Sequence, residues 1–298
     1  MRVATTTVSN TVLRQIQDLN SRLSKLQTQV STGQRVFQPE DDPAAVGRLI
    51  TLQTENQQLA QFQQNASHAL EISQASTAAL QQIKKISDRA SEIATLGAST
   101  QSDSSAQSYS TEINQLIEQA VQLANSRQQN DYLFAGTAVA SAPIQVTRNA
   151  TGDITAATYA GNATSASIPL SDTASISPSA TPQTNQGLCD FINHLVSLRN
   201  ALTTNDPTTV VGIQSGLQTT EDTIINSISE QGAVQMRIQV AQDQQQSRSS
   251  DLDKLISNDR DIDMSQAIVR LNQVQVAYQA SLQSTVNIMN KSLLDYLT

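Results

Sequence analysis

The chain has 298 residues, of which 38% are hydrophobic and only 3% aromatic, with no tryptophan, a composition too lean for one deep globular core. Its 18 Lys plus Arg against 26 Asp plus Glu leave a net charge of −8, which argues against nucleic acid, because phosphate-backbone binding rests on clustered cations. The single cysteine, Cys189, excludes an internal disulfide, and no apolar run approaches the roughly 18 residues of a membrane span, so no membrane insertion is expected.

The N-terminal MRVATTTVSNTV lacks the apolar run of a secretory signal, which makes the cytoplasm the default location. That default fails if a dedicated machine exports the chain by a polar N-terminus. Val12, Ile16, Leu19, Leu23, Leu26 and Val30 then follow steps of four and three residues, a strict heptad seam that keeps one helix stripe facing another helix. Such a helix barely holds together alone in water. Its partner is expected at the other end of the chain.

The stretch STGQRVFQPEDDPAAVGRL follows. Gly33 stands close behind Val30, where a left-handed C-cap favours glycine. Asp42 before Pro43 predicts a helix start, the carboxylate accepting from a free amide while proline occupies the first turn without losing a needed donor. Glu40 and Asp41 add negative charge near that helix end, within sequence reach of Arg35. Gly33, Arg35, Asp41, Asp42 and Pro43 therefore form a helix–loop–helix corner, a reading that outweighs a cation site.

From Ala44 to about Leu96 the apolar residues Leu49, Leu52, Leu59, Leu70, Leu80, Ile83 and Ile93 trace a long helix, with Gly97 as the expected C-cap. Ser102, Asp103 or Ser104 caps the next helix, marked by Tyr109, Ile113, Leu116, Ala120 and Leu123 and ending near NSRQQNDYLFAG. Beyond Thr137 the composition shifts: to Gln186 the only charges are Arg148, Asp153 and Asp172, and helical periodicity vanishes. IQVTRNATGDITAATYAG predicts two short strands around a turn at Asn149 to Asp153, and SPSATPQTNQG an exit linker. Helical spacing returns at Leu188, Phe191, Ile192, Leu195, Leu198 and Leu202, and again after Asp206-Pro207 from Val210 to Leu255.

The last helix carries Met264, Ile268, Leu271, Tyr278, Leu282 and Met289 at heptad-compatible steps, with Val274, Val276, Val286 and Ile288 widening its apolar face. The expected fold is thus mainly α, an elongated helical bundle whose N- and C-terminal heptad helices pair as a terminal coiled coil, with a small β-rich inserted domain. The expected division is 1–42 with 262–298 for the terminal assembly domain, 43–136 with 187–261 for a helical rod, and 137–186 for the insertion. The assembly seam comprises Val12, Ile16, Leu19, Leu23, Leu26, Val30, Ile268, Leu271, Tyr278, Leu282 and Met289. Because these segments are short and polar, the free monomer is expected to carry mobile termini.

Chemistry is scarce. His68 and His194 stand on separate helical patterns without metal-ligand neighbours, and no zinc, P-loop, dinucleotide or nucleophile-elbow spacing occurs. In NDRDIDM, Asp259, Asp261 and Asp263 copy the first ligands of an EF-hand, but Met264 stands where glycine is needed and Arg270 where a bidentate carboxylate is needed. A helix start capped by Asp261 or Asp263 fits better. No catalytic residue, metal or cofactor is expected.

Several segments resemble a known family. Ser31-Thr32-Gly33-Gln34-Arg35-Val36, the Asp41-Asp42 pair and the C-terminal DIDMSQAIVRLNQVQVAYQASLQSTVNIMNKSLLDYL are similar to bacterial flagellins and their junction relatives. Pro39 and Pro43 around Asp41-Asp42, the Tyr132-Leu133-Phe134-Ala135-Gly136-Thr137 segment and the ending Ser292 to Leu297 resemble the hook-associated protein 3, or hook–filament junction, family. The resemblance covers roughly the first 135 and last 110 residues. It implies a structural, extracellular part of the flagellum, exported by the flagellar type III apparatus without a cleaved signal and aided by an export chaperone. It also implies self-association in a ring or helical layer between hook-associated protein 1 and flagellin. Flagellin itself is the nearest alternative, and a coiled-coil partner-binding or chaperone-like protein a more distant one.

Overall fold

The computed structural model describes the backbone of residues 2–99 and 102–297 and the side chains of 10–99 and 102–286. Six helices occur among the described residues: α1 (Arg2–Thr32), α2 (Pro43–Gly97), α3 (Asp103–Ala124), α4 (Pro182–Thr203), α5 (Pro207–Arg260) and α6 (Met264–Leu297). Three antiparallel pairs lie between α3 and α4: β1 (Arg127–Gln128) with β2 (Asp131–Tyr132), β3 (Ile144–Arg148) with β4 (Ile154–Tyr159), and β5 (Ile168–Pro169) with β6 (Ser175–Ile176). The chain is mainly α with a small β-rich insertion, as its spacing predicts.

Local chemistry sets the helix ends. The Ser102 hydroxyl accepts from the Ser105 amide to start α3, and Thr181 accepts from Thr184 to start α4 with Pro182 in the first turn. Asp206 accepts from the Thr208 and Thr209 amides at the head of α5. Two expectations change here. The SPSATPQTNQG run is a linker only in part, because its Thr-Pro pair starts α4. Gly97 is the last residue of α2 rather than a left-handed cap, and its small size serves packing: a Cβ there would meet Leu202 Cδ2 at 2.5 Å.

The chain divides into two compact units, one of residues 1–58 with 248–298 and the other of 59–247. The terminal unit is larger than 1–42 with 262–298. It includes the ends of α2 and α5, cross-tied by the Arg48–Asp259 and Arg248–Glu55 ion pairs. In it, α1 packs along α6. The Ile262 amide donates to the Gly33 carbonyl, which sets the end of α1 beside the start of α6 and makes the pair antiparallel.

In the second unit, Leu80, Ile83 and Ile93 of α2, Ile113 and Ile117 of α3, and Leu188, Phe191, Ile192, Leu195 and Leu198 of α4 form a nearly solvent-free core. The insertion does not stand apart from it, since Ile144, Ile154, Ala157 and Ala180 join the same cluster. Burying each large apolar side chain stabilises by roughly 1.5 to 3 kcal/mol, which explains why this short hairpin is ordered against the helices.

Two polar side chains fix the hairpin in place. Asn193 of α4 donates to the Ala157 carbonyl (3.0 Å) and accepts from its amide (2.9 Å), imitating a neighbouring strand. Arg199, buried, donates to the Ile154 carbonyl (2.7 Å), to Asn114 (2.9 Å) and to Asn200.

Candidate functional site

The corner brings its sequence-predicted residues together and adds partners from the far end of the chain. Gly33 has φ +72°, and its amide closes α1 on the Gln29 carbonyl at 2.9 Å. This left-handed geometry costs an L-residue about 1 to 2 kcal/mol, so glycine is the economical choice. The Asp42 carboxylate accepts from the Ala45 amide at 3.0 Å, capping α2 where Pro43 begins it.

Asp41 has a different role from the helix-end charge expected of it. One of its oxygens accepts from the Phe37 and Gln38 amides (3.1 and 3.0 Å), and the other pairs with Lys25 of α1 at 2.6 Å. The Lys25 ammonium and then the two amides hold its carboxyl at about 2. Arg35 pairs with Asp42 at 3.2 Å rather than with Glu40 or Asp41. The Ala45 amide and then Arg35 hold the Asp42 carboxyl below its usual range.

The second half of the site is the connection from α5 to α6. Gln34 and Asp261 form an antiparallel bridge, flanked by hydrogen bonds from the Arg35 amide to the Arg260 carbonyl (2.6 Å) and from the Ile262 amide to the Gly33 carbonyl (3.0 Å). Arg35 Nη2 also donates to the Asp259 carbonyl at 2.8 Å, while Arg48 forks onto the Asp259 carboxylate and lowers its pKa. Asp261 accepts from Ser257 and Arg260, and Asp263 caps α6 through the Ser265 and Gln266 amides. Each carboxylate of the EF-hand lookalike is therefore engaged by protein donors. Among the described residues no cluster of three His, Cys, Asp or Glu is placed to hold a metal ion.

Lys25, Arg48, Asp259 and Arg260 complete the corner without a local sequence pattern that assigns them to it. The charge of NDRD was a visible signal, but nothing local links it to a loop more than 200 residues away.

The terminal seam has two sides. On α1, Val12, Ile16, Leu19, Leu23, Leu26 and Val30 are all partly buried, while every intervening position from Leu13 to Lys25 is exposed. On α6 the shielded row is Ala267, Leu271, Val274, Tyr278, Ser281 and Thr285, which steps by four and three like α1. Leu271 and Tyr278 lie in this row. Ile268 and Leu282 lie one position beside it, 45% and 41% exposed, and the Met289 side chain falls outside the described residues. Two adjacent apolar rows on α6 make both registers look equally good in sequence; small and polar residues occupy half of the shielded one.

The remaining candidates belong to the second unit and are not part of the corner. His68 is exposed on α2, and His194 on α4 sits against Gly216, where a Cβ would meet its ring at 2.7 Å. Cys189 is buried, which pushes its thiol pKa up. No helix among the described residues is long and apolar enough to cross a membrane.

Comparison with known proteins places these features in context. Residues 3–139 match the family model of the bacterial flagellin N-terminal helical region. The chain is 30% identical over 145 residues to flagellar hook-associated protein 3 of Salmonella typhimurium, covering 48% of this chain and 46% of that protein. The chain thus spans about half the length of the curated relatives it matches.

A putative flagellar hook-associated protein from Vibrio parahaemolyticus superposes with a TM-score of 0.66 at 17% identity, covering 74% of this chain and 100% of that one. For FlgL of Bacillus cereus the values are 0.59 and 19%, with 70% and 99% covered. At such identities these structures speak for the fold alone. The resemblance read from the motifs is borne out, to the flagellin-like proteins and among them to hook-associated protein 3.

Proposed function

We propose that this chain is a structural component of the bacterial flagellum that forms the junction layer between hook-associated protein 1 and the flagellin filament. The observation that carries the reading is the 30% identity over 145 residues to hook-associated protein 3. The terminal unit supports it physically. Its two long helices shield each other along one row only, leaving Ile268, Val276, Leu282 and Val286 of α6 exposed to neighbours. A pair so incompletely covered gains more by joining a layer of copies than by remaining alone.

The seam is proposed to serve assembly in two ways: Val12, Ile16, Leu19, Leu23, Leu26, Val30, Leu271 and Tyr278 hold α1 on α6, and the exposed Ile268 and Leu282, continued by Met289 in the sequence, meet other copies in a ring or helical layer. The corner of Gly33, Arg35, Asp41, Asp42 and Pro43 is proposed to turn α1 into α2 and to hold the start of α6 beside the end of α1. In this reading the protein acts without catalysis, metal or cofactor and works outside the cell. It reaches that place through the flagellar type III apparatus with the help of an export chaperone.

A second reading, flagellin itself, is favoured by the description of the matching family model. One assay separates them. Added to hooks that carry hook-associated protein 1, a junction protein permits flagellin to polymerise there and forms no long filament when purified alone. Long filaments of the purified protein would overturn the junction reading in favour of flagellin.

A further inference from the structure

Residues 166–180, which the sequence assigns to the β-rich insertion and the start of its exit linker, cross the seam between α2 and α5 inside the second unit. That seam is poor in apolar cover. Between Ile224 and Leu252, α5 supplies a single buried large aliphatic side chain, Ile238, and α2 opposes it with Ala66 and Ala69. The rest is polar: Ser73 donates to Gln231 at 2.7 Å, Gln235 to Thr77 at 2.9 Å, and Gln242 to Ser67 at 3.5 Å. Such bonds are directional but exchange readily with water, so they fix register better than they resist opening.

The β5–β6 turn closes the gap. Leu170 and Ile176 bury themselves against Ala66, Ala69 and Ile238. Successive carbonyls of the turn are gripped from the two helices, Pro169 by Asn65 of α2 (3.0 Å) and Leu170 by Gln245 of α5 (2.8 Å). We propose that residues 166–180 form a strap that holds α2 against α5, and that the strap and the facing part of α5 open together while the α3–α4 core stays closed.

Two features make this opening easy. The buried Gln245 Oε1 has no hydrogen-bond partner while the strap is down, and water supplies one when it lifts. A hollow of about 470 Å³ also undercuts the first half of the strap, where Ser167, Ile168 and Pro169 face His68 and Ile72 across open space. Cooperative sub-global opening is expected where buried apolar contacts are few.

Amide hydrogen exchange on the full chain tests the idea. In the native protein, the Leu170 amide and those of 234–245 should exchange through one opening, less protected than the amides of 188–202. Gln245→Ala removes the tie from α5 without touching the aliphatic cluster. It should speed exchange at Leu170 and at 234–245 by about tenfold or more and leave 188–202 unchanged. Ile176→Ser, which weakens the apolar half of the strap, should give the same pattern. Faster exchange at Leu170 with 234–245 unaffected would overturn the proposal, as would a uniform rise that includes 188–202.

Discussion

Arg48 grips Asp259 with two nitrogens, Nε and Nη2, each 3.0 Å from a carboxylate oxygen, and so joins the first turns of α2 to the last turn of α5. The pair is solvent-facing, so it sets geometry more than stability. Arg48→Lys keeps the charge but loses the planar fork. We expect the Arg35 and Ile262 amides, which bridge the two connections, to exchange several-fold faster in this variant, with global unfolding nearly unchanged. Unchanged exchange at both amides would mean that the fork does not brace the corner.

Asp41 gives the corner a defined response to acid. Its folded pKa of about 2 lies below the ordinary 3.8, so the charged carboxylate favours the fold. That stabilisation is complete above about pH 4 and is lost as pH falls through 2. Asp41→Asn should lower the unfolding temperature at neutral pH, and the difference from the native protein should shrink steadily below pH 4. Asp206, held at about 2 by Thr208 and Thr209, titrates in the same window and is untouched by the substitution. Parallel pH profiles for the two proteins would rule out Asp41 as a contributor.

Gly33→Ala tests the left-handed cap. A Cβ there meets nothing within 4 Å, so the cost is conformational alone, about 1 to 2 kcal/mol at φ +72°. Chemical denaturation of the terminal unit should reveal it. Were the variant as stable as the native protein, the chain would have to reach the corner by another backbone path.

The two rows of α6 make different predictions. Leu271→Ala removes a side chain shielded by α1 and should loosen the helix pair in the free monomer, seen as faster exchange over 264–280. Ile268→Ala alters an exposed position and should leave the monomer within about 0.5 kcal/mol. If Ile268 belongs to the proposed seam between copies, its variant should nonetheless fail to support filament growth on hooks. Normal growth with Ile268→Ala would remove that residue from the seam.

The helices are legible because their apolar spacing is long and their caps are local: Asp42-Pro43 and Asp206-Pro207 announce a start, and one is expected among Ser102, Asp103 and Ser104 and at Asp261 or Asp263, of which the structure uses Ser102 and Asp263. The row on α1 was legible too, since its other faces are polar. On α6 a second apolar row lies beside the shielded one, and spacing alone does not choose between Leu271 with Val274 and Ile268 with Leu282. The β1–β2 hairpin is hidden in the sequence for a different reason. Its strands are two residues long, and its turn places Gln129 at φ 57°, where a glycine would have flagged it. The strap and the far half of the corner depend on residues distant in sequence, such as Gln245 beside Leu170 and Asp259 beside Arg35. No window of local pattern contains them.

The corner also imposes an order in time. Arg35 and its acceptor at Asp259 are 224 residues apart, so a chain made or delivered from its N-terminus holds the first connection long before the second appears. Until Asp259 emerges, Gly33, Asp42 and the Lys25–Asp41 pair can shape the loop, but its tie to the second connection is missing. The two connections can therefore meet only once Asp259 has appeared, and a chain stalled short of it carries a first helix that barely holds together alone, without its matched partner.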